Sequence, residues 1–388
     1  MHLSSITKVG VINAGRMILL TPFAIVLRIF RKKTWIITER SDQARDNGFI
    51  FFKYMKEHHP EQPVYYVIEK NATDYNKIKQ YGNIIQFNSW KHFFYFCFSS
   101  VHISAHVRGC NPDNNPMARR LKRILGYKDV FLPHGVSYGV SEFCLAKYSG
   151  VDLFICSGRL EYDNVLKNYG YRKNQVAYTG FPRLDEWHDL NVDKKKILLM
   201  PTWRLYLAQN PNTVFEETLY YEAYQKLINN QELANFLGEN GLKLIFYVHH
   251  NMRKYVNSFR TNCPDIEIVY RDETYDIQDL LKSAGLLITD YSSVHFDFAY
   301  MQKPVIYYQF DRKEFWEKQY KKGDFDAEKD GFGPVAYDLD NVLKDLKDVY
   351  DLGFRQSELY HGRMRSFYQK YDKNNSDRVY KEIKNHFK

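Results

Sequence analysis

His134 sits in VFLPHGVSYG, after an apolar run and between Pro133 and Gly135. Proline fixes the backbone before it, and glycine permits a tight turn after it. An imidazole so placed titrates near neutrality and can take a proton from an attacking hydroxyl. The competing reading is a structural histidine bonded to a nearby carbonyl. His249 follows another apolar run, in LIFYVHHNMRKY, with His250 beside it. A histidine there can bond a phosphate oxygen or protonate a leaving group, and Asn251, Arg253 and Lys254 add donors; otherwise the cluster is a solvated strand end. Arg204 closes PTWR, and its planar fork matches phosphate geometry. TGFPRLD, from Thr179 to Asp185, puts Pro182 and Arg183 on a shaped loop, where Arg183 and Asp185 could simply pair.

The stretch ITDYSSVHFDFAYMQKPVIYYQFD, residues 288–311, carries most information. It reads as a strand over 286–289 ending at Thr289, a polar elbow from Asp290 to Ser293, a helix over 294–301 and a strand over 304–308. The elbow gathers the hydroxyls of Ser292 and Ser293 with the first free N–H groups of a helix. A helix start carries roughly half a positive charge and unsatisfied donors, so it suits a phosphate. Serine also caps helices, which is the plainer explanation. Asp338 and Asp340 have D-x-D spacing, but such a loop is more often just solvated. With arginine, histidine and helix starts to neutralise phosphate charge, the chemistry requires neither metal nor cofactor.

These loops need elements that hold them. Short apolar runs at 35–38, 64–68, 84–87, 101–104, 130–132, 153–156 and 176–178 alternate with helical patterns such as 45–58 and 159–169. After a polar break at 186–195, runs at 197–200, 244–248, 266–269, 286–289 and 305–308 form a second series, with helices at 216–237 and 277–283 and a helical tail from 339 to 388. Strand–helix alternation predicts parallel sheets with helices on both faces. The expectation is two Rossmann-like α/β domains facing across a cleft, with ligands at the carboxyl ends of the strands. The expected division is an arm at 1–33, a first domain at 34–190, a second at 191–345 and C-terminal helices at 346–388. No G-x-G-x-x-G and no Walker A lysine loop occurs, which weighs against dinucleotide and ATP binding.

The net charge of +9 is uneven: residues 1–33 hold Lys8, Arg16, Arg28, Arg31, Lys32 and Lys33 and no acid, leaving only three for the remainder. That distribution, without any helix-turn-helix, zinc-finger or RNA-binding signature, argues against nucleic acid as a partner. The run from Met17 to Phe30 is interrupted by Thr21, Pro22 and Arg28. It is short for a bilayer span, lacks a signal-peptide cleavage site and fits a helix lying in an anionic membrane interface; a packed helix with a solvated basic end is the alternative. Five scattered cysteines read as reduced thiols, and with no secretion signal recognised the expectation is a chain working on the cytoplasmic side.

PHG at 133–135, TGFPRLD at 179–185, PTWR at 201–204, His249 of YVHH and TDYSSVHFDFAYMQKPVIYY at 289–308 resemble, in order and spacing, the CDP-glycerol:poly(glycerophosphate) glycerophosphotransferase family of teichoic acid and capsule synthesis. The resemblance spans roughly residues 100–340. It implies a GT-B fold, CDP-glycerol or CDP-ribitol as donor, CMP as product, a polyprenyl-linked saccharide or polymer as acceptor, and peripheral attachment to the inner leaflet. It implies that His134 and His249 are the essential histidines and that Ser292, Ser293 and Arg204 contact donor phosphates, with Thr289, Asp290, Gly135, Pro182 and Arg183 in the binding loops. The histidine of YVHH is usually followed by proline; here His250 follows, so both histidines stay candidates for that role. Glycerol versus ribitol, the acceptor and the oligomeric state are left open. A sugar-nucleotide glycosyltransferase on the same scaffold, releasing UDP or GDP, is the rival enzyme. A non-catalytic member of a membrane-bound synthase complex is the rival of another kind.

Overall fold

A computed structural model of the protein describes residues 8–30, 33–209, 214–270, 276–319 and 321–387. The chain divides into two structural units. The first takes in residues up to Val136, Glu142–Glu186 and the end of the chain from Asp372; the second takes in Ser137–Ser141 and Trp187–Tyr371.

The first unit is built on seven strands among the described residues: β1 Trp35–Thr38, β2 Val64–Ile68, β3 Ile84–Gln86, β4 Val101–Ser104, β5 Lys128–Phe131, β6 Leu153–Cys156 and β7 Val176–Tyr178. Every pairing is parallel, in the order β3-β2-β1-β4-β5-β6-β7. β1, β4 and β6 are buried along their whole length, as expected of strands covered on both faces. Helices α1 Lys8–Phe30, α2 Asn47–His58, α3 Tyr75–Lys79, α4 Trp90–Phe98 and α5 Met117–Leu125 belong to this unit.

The second unit carries β8 Asp193–Leu199, β9 Lys243–Val248, β10 Ile266–Tyr270, β11 Ala284–Thr289, β12 Val305–Tyr308 and β13 Val335–Ala336, all parallel, in the order β10-β9-β8-β11-β12-β13. The two parallel-sheet α/β units agree with the expected fold class. β8 begins earlier than the expected 197, because Asp193 and Lys196 pair with Ala284 and Lys243 although they are not buried. The helix expected over 216–237 is a short turn at Phe215–Glu217 followed by helices Leu219–Ile228 and Gln231–Asn240. It breaks at Asn229 and Asn230 because the Asn230 side chain accepts from Leu233 N and starts a new helix. The tail is three helices, Leu339–Asp351, Glu358–Phe367 and Asn375–His386, rather than one continuous run.

α1 packs on α4 and α5 through one narrow stripe. Asn13, Met17, Thr21 and Ala24 are buried at helical spacing, while Ile18, Leu19, Phe23, Val26, Ile29 and Phe30 are each more than half exposed. Arg28, expected at a lipid surface, is used otherwise. Its guanidinium donates to the carbonyls of Phe98 (2.7 Å), Ser99 and Leu125, closing the C-terminal ends of α4 and α5, where a cation suits the helix dipole.

Candidate active site

His134 occupies the loop at the carboxyl end of β5. Residues from two distant segments frame that loop. The Asn47 amide donates to Pro133 O at 2.6 Å, and Asn47 Oδ1 accepts from Arg183 N at 3.1 Å. The Arg183 guanidinium, itself buried, donates to His134 O and to Asp46 Oδ1, both at 2.7 Å. Arg183 and Asp185, which could have paired with each other, have other partners. Asp185 instead accepts from the backbone N–H groups of Asn375 and Ser376, each at 2.8 Å, and caps the last helix. Arg183 therefore belongs to the frame of the loop, and Pro182 beside it is buried. Gly180 explains why this loop needs glycine: its φ is +84°, and a Cβ there would lie 1.8 Å from Asn375 Oδ1.

The ring of His134 is open to solvent on one side, and its Nδ1 lies 3.4 Å from Ala105 O. The protein packed around the rest of the ring disfavours the imidazolium and lowers its pKa; Asp46 and the Ala105 carbonyl oppose this, while Arg183 and Arg40 add to it. His106, whose ring centroid is 5.1 Å away, is pushed down to about 4 by burial and then by His134. The arrangement keeps His134 neutral at neutral pH, as a proton acceptor must be. Glu39 supports the same corner. Its buried carboxyl group accepts from the N–H groups of Arg45 (3.0 Å), Asp46 (2.9 Å) and Phe49 (2.7 Å), so it fastens the start of α2 and with it Asp46 and Asn47.

In the second unit the expected strand–elbow–helix is present: β11 ends at Thr289 and a helix runs over Val294–Tyr300. The Thr289 hydroxyl donates to Met200 O at 2.7 Å, tying the strand end to the PTWR loop. Ser292 and Ser293 are half-buried, and the Ser293 side chain makes no capping hydrogen bond to the helix it precedes. Capping therefore does not explain Ser293.

Arg204 lies elsewhere than expected of a phosphate ligand. It is fully buried. Its guanidinium meets Asp290 Oδ2 at 2.8 Å, Asp311 Oδ2 at 2.8 Å and Oδ1 at 3.1 Å, and Thr202 O at 2.7 Å. The rings of Tyr220, Tyr291 and Phe315 surround it, with centroids 5.0, 5.3 and 4.9 Å from Cζ. Burial opposes its charge, but Asp290 and Asp311 outweigh burial and hold its pKa above the ordinary arginine value. Asp290 also accepts from Thr202 N at 2.7 Å and from Tyr291 N. PTWR and the elbow are thus braced together by an Asp–Arg–Asp cluster.

His249 is half-buried at the end of β9; its Nδ1 accepts from Asn251 N at 3.1 Å, and its ring lies parallel to Trp203 at 6.0 Å. The side chain of His250 lies outside the described residues. Asp338 of the D-x-D accepts from Asn341 N at 2.8 Å and is a helix cap. Sequence reasoning missed Asp46, Asn47, His106 and Asp311. Only His106 carried a signal, as a histidine just beyond the end of an apolar run.

The family model for CDP-glycerol:poly(glycerophosphate) glycerophosphotransferases matches residues 19–385. The minor teichoic acid biosynthesis protein GgaB of Bacillus subtilis (strain 168) is 32% identical over 372 residues, covering 92% of this chain and 40% of that protein. The teichoic acid glycerol-phosphate primase of the same strain is 27% identical over 217 residues, covering 53% of this chain and 51% of that one. The chain thus spans about half the length, or less, of these relatives. Among solved structures, the wall teichoic acid polymerase TagF aligns over 97% of both chains with a TM-score of 0.64 at 18% identity, a likeness of fold that agrees with the GT-B class. With the family model spanning nearly the whole chain, this protein belongs to the CDP-glycerol:poly(glycerophosphate) glycerophosphotransferase family.

Proposed function

We propose that the protein transfers glycerol phosphate or ribitol phosphate from a CDP-polyol to a hydroxyl of a membrane-linked acceptor, releasing CMP, in teichoic acid or capsular polymer synthesis. His134 takes the proton of the acceptor hydroxyl. The freed oxygen attacks the phosphorus that bears the polyol, a phosphodiester forms, and the bond to the CMP phosphate oxygen breaks. The Ser292–Ser293 elbow holds donor phosphate oxygens, and His249 neutralises charge on the departing CMP. Arg204 serves as the brace that holds the elbow in shape. Catalysis is then by positioning and electrostatics, as is usual for phosphoryl transfer.

The observation that carries this reading is the frame of the PHG loop. Arg183, Asn47 and Asp46 fix the backbone around an imidazole that is open to solvent and held below its ordinary pKa. The outward apolar side of α1, a helix long and apolar enough by composition to cross a membrane, supports attachment to a membrane; the cytoplasmic side and a peripheral mode are part of the proposal. The test is incubation of the full chain with CDP-glycerol, CDP-ribitol and UDP-sugars. Release of CMP from a CDP-polyol is the expected result. Release of UDP instead would show a sugar-nucleotide glycosyltransferase, and no nucleotide binding by calorimetry would show a non-catalytic partner.

A further inference from the structure

The neighbouring strands β4 and β5 each end in a loop that carries an imidazole. His106 follows β4, and its ring centroid lies 5.1 Å from that of His134, with the two planes tilted by 42°. The backbone around His106 is pinned. Its carbonyl accepts from Gly109 N at 2.9 Å and from the Ser104 hydroxyl, and that hydroxyl accepts in turn from Gly109 N at 3.2 Å. Gly109 packs so closely that a Cβ there would lie 2.9 Å from Ser104 Cβ. Within the same turn, the Arg108 guanidinium donates to Ser149 O at 3.1 Å.

This loop also orients the proposed base. Ala105 O can only accept, so its contact at 3.4 Å puts the proton of a neutral His134 on Nδ1 and leaves Nε2 bare. One residue on, the His106 side chain is half-buried, and neither ring nitrogen has a hydrogen-bond partner among the described residues. A polar ring on a fixed backbone, open on one side and with both nitrogens unused, is pre-organised for a ligand.

The state of the ring selects that ligand. Burial and then His134 push its pKa down to about 4; Arg40 adds to this, while Asp46 and Asp42 oppose it. At neutral pH His106 therefore offers one N–H and one acceptor nitrogen, which suits a hydroxyl; a phosphate oxygen has no proton to give and calls for donors alone. When His134 takes the proton of one hydroxyl, the adjacent ring is placed for the hydroxyl on the next carbon. We infer that His106 binds the acceptor through the hydroxyl neighbouring the one that attacks, and so selects a polyol end with adjacent hydroxyls. The inference rests on the proposed reaction with His134 as base.

Two soluble acceptors test it with the full chain and CDP-glycerol or CDP-ribitol. Glycerophosphoglycerol ends in adjacent hydroxyls; its dideoxy analogue, in which each glycerol lacks the middle hydroxyl, keeps only the primary one. CMP release gives kcat/KM for each. Wild type should favour the diol at least about tenfold, since a group placed to bond a substrate hydroxyl is left unpaired by the analogue. His106→Ala should remove most of that preference, chiefly by raising KM for the diol. His106→Gln, which keeps a donor and an acceptor, should restore part of it. The preference is a ratio within one preparation, so an unfolded fraction cancels, and a merely structural role would lower both acceptors alike. Equal kcat/KM for the two acceptors in wild type, or an undiminished preference in His106→Ala, overturns the assignment while leaving the proposed reaction standing. No CMP from wild type with either donor and either acceptor defeats the proposed reaction, and this assignment with it.

Discussion

Replacing Arg204 by methionine separates a phosphate ligand from an internal brace. The guanidinium is fully buried between Asp290 and Asp311, and Asp290 in turn fixes Thr202 and Tyr291. Arg204→Met fills much of the space but strands two buried carboxylates. Removing one partner of a buried ion pair costs about 3–5 kcal/mol. For a unit of this size that corresponds to a fall in Tm of roughly 6–20 °C, at 2–4 °C per kcal/mol. The deficit should depend on pH with a definite sign. Unpaired and desolvated, the two carboxyls have folded pKa values above their unfolded ones, so the folded variant binds more protons than the unfolded chain. Its stability therefore falls as pH rises through that window, and the gap to wild type narrows on going from pH 8 to pH 5. Arg204→Met/Asp311→Asn should recover part of the loss by removing one stranded charge. Scanning calorimetry of the full chain measures all of this. A variant that melts within about 2 °C of wild type while losing CDP-glycerol affinity would refute the reasoning and return Arg204 to the role of phosphate ligand.

Other consequences are testable in the same preparations. His134→Ala should lower turnover on the order of 10²–10⁴-fold while remaining folded. In wild type the acidic limb of the kcat/KM profile should lie below the ordinary imidazole range, because burial lowers the folded pKa and the base loses activity only as pH falls through that lower value; a limb at or above that range would contradict the assignment. Arg183→Ala should reduce kcat by up to about 100-fold through misplacement of the PHG loop, with a smaller change in KM; a KM effect alone would make Arg183 a substrate ligand. Leu19→Asp/Phe23→Asp should abolish co-sedimentation with anionic vesicles, whereas Arg28→Ala should lower Tm and leave sedimentation largely intact.

Much of the scaffold was legible because buried parallel strands are near-continuous apolar runs, and β1, β2, β4 and β6 fall where those runs lie. The amino-terminal half of β8 was not, since exposed lysines joining a ladder through their backbones carry no apolar signal. β13, at Val335–Ala336, is too short to show periodicity. The loops bearing His134, His249 and Ser292 were legible from residue type at strand ends. What each basic side chain touches was not: Arg183 reaches Asp46 across 137 residues, Arg204 reaches Asp311 across 107, and Asp185 caps a helix 190 residues on. Arginine in a loop looks alike in sequence whether it awaits a phosphate or already holds a carboxylate. Only the fold brings in the acid that decides.

The most direct measurement follows an acceptor through one round of reaction with CDP-glycerol or CDP-ribitol, by ³¹P NMR and nucleotide chromatography. The account predicts a new phosphodiester on the acceptor and CMP in equal amount with the wild-type chain, and neither with His134→Ala. An acceptor left unchanged, one that gains a sugar while UDP is released, or full transfer by His134→Ala would contradict it.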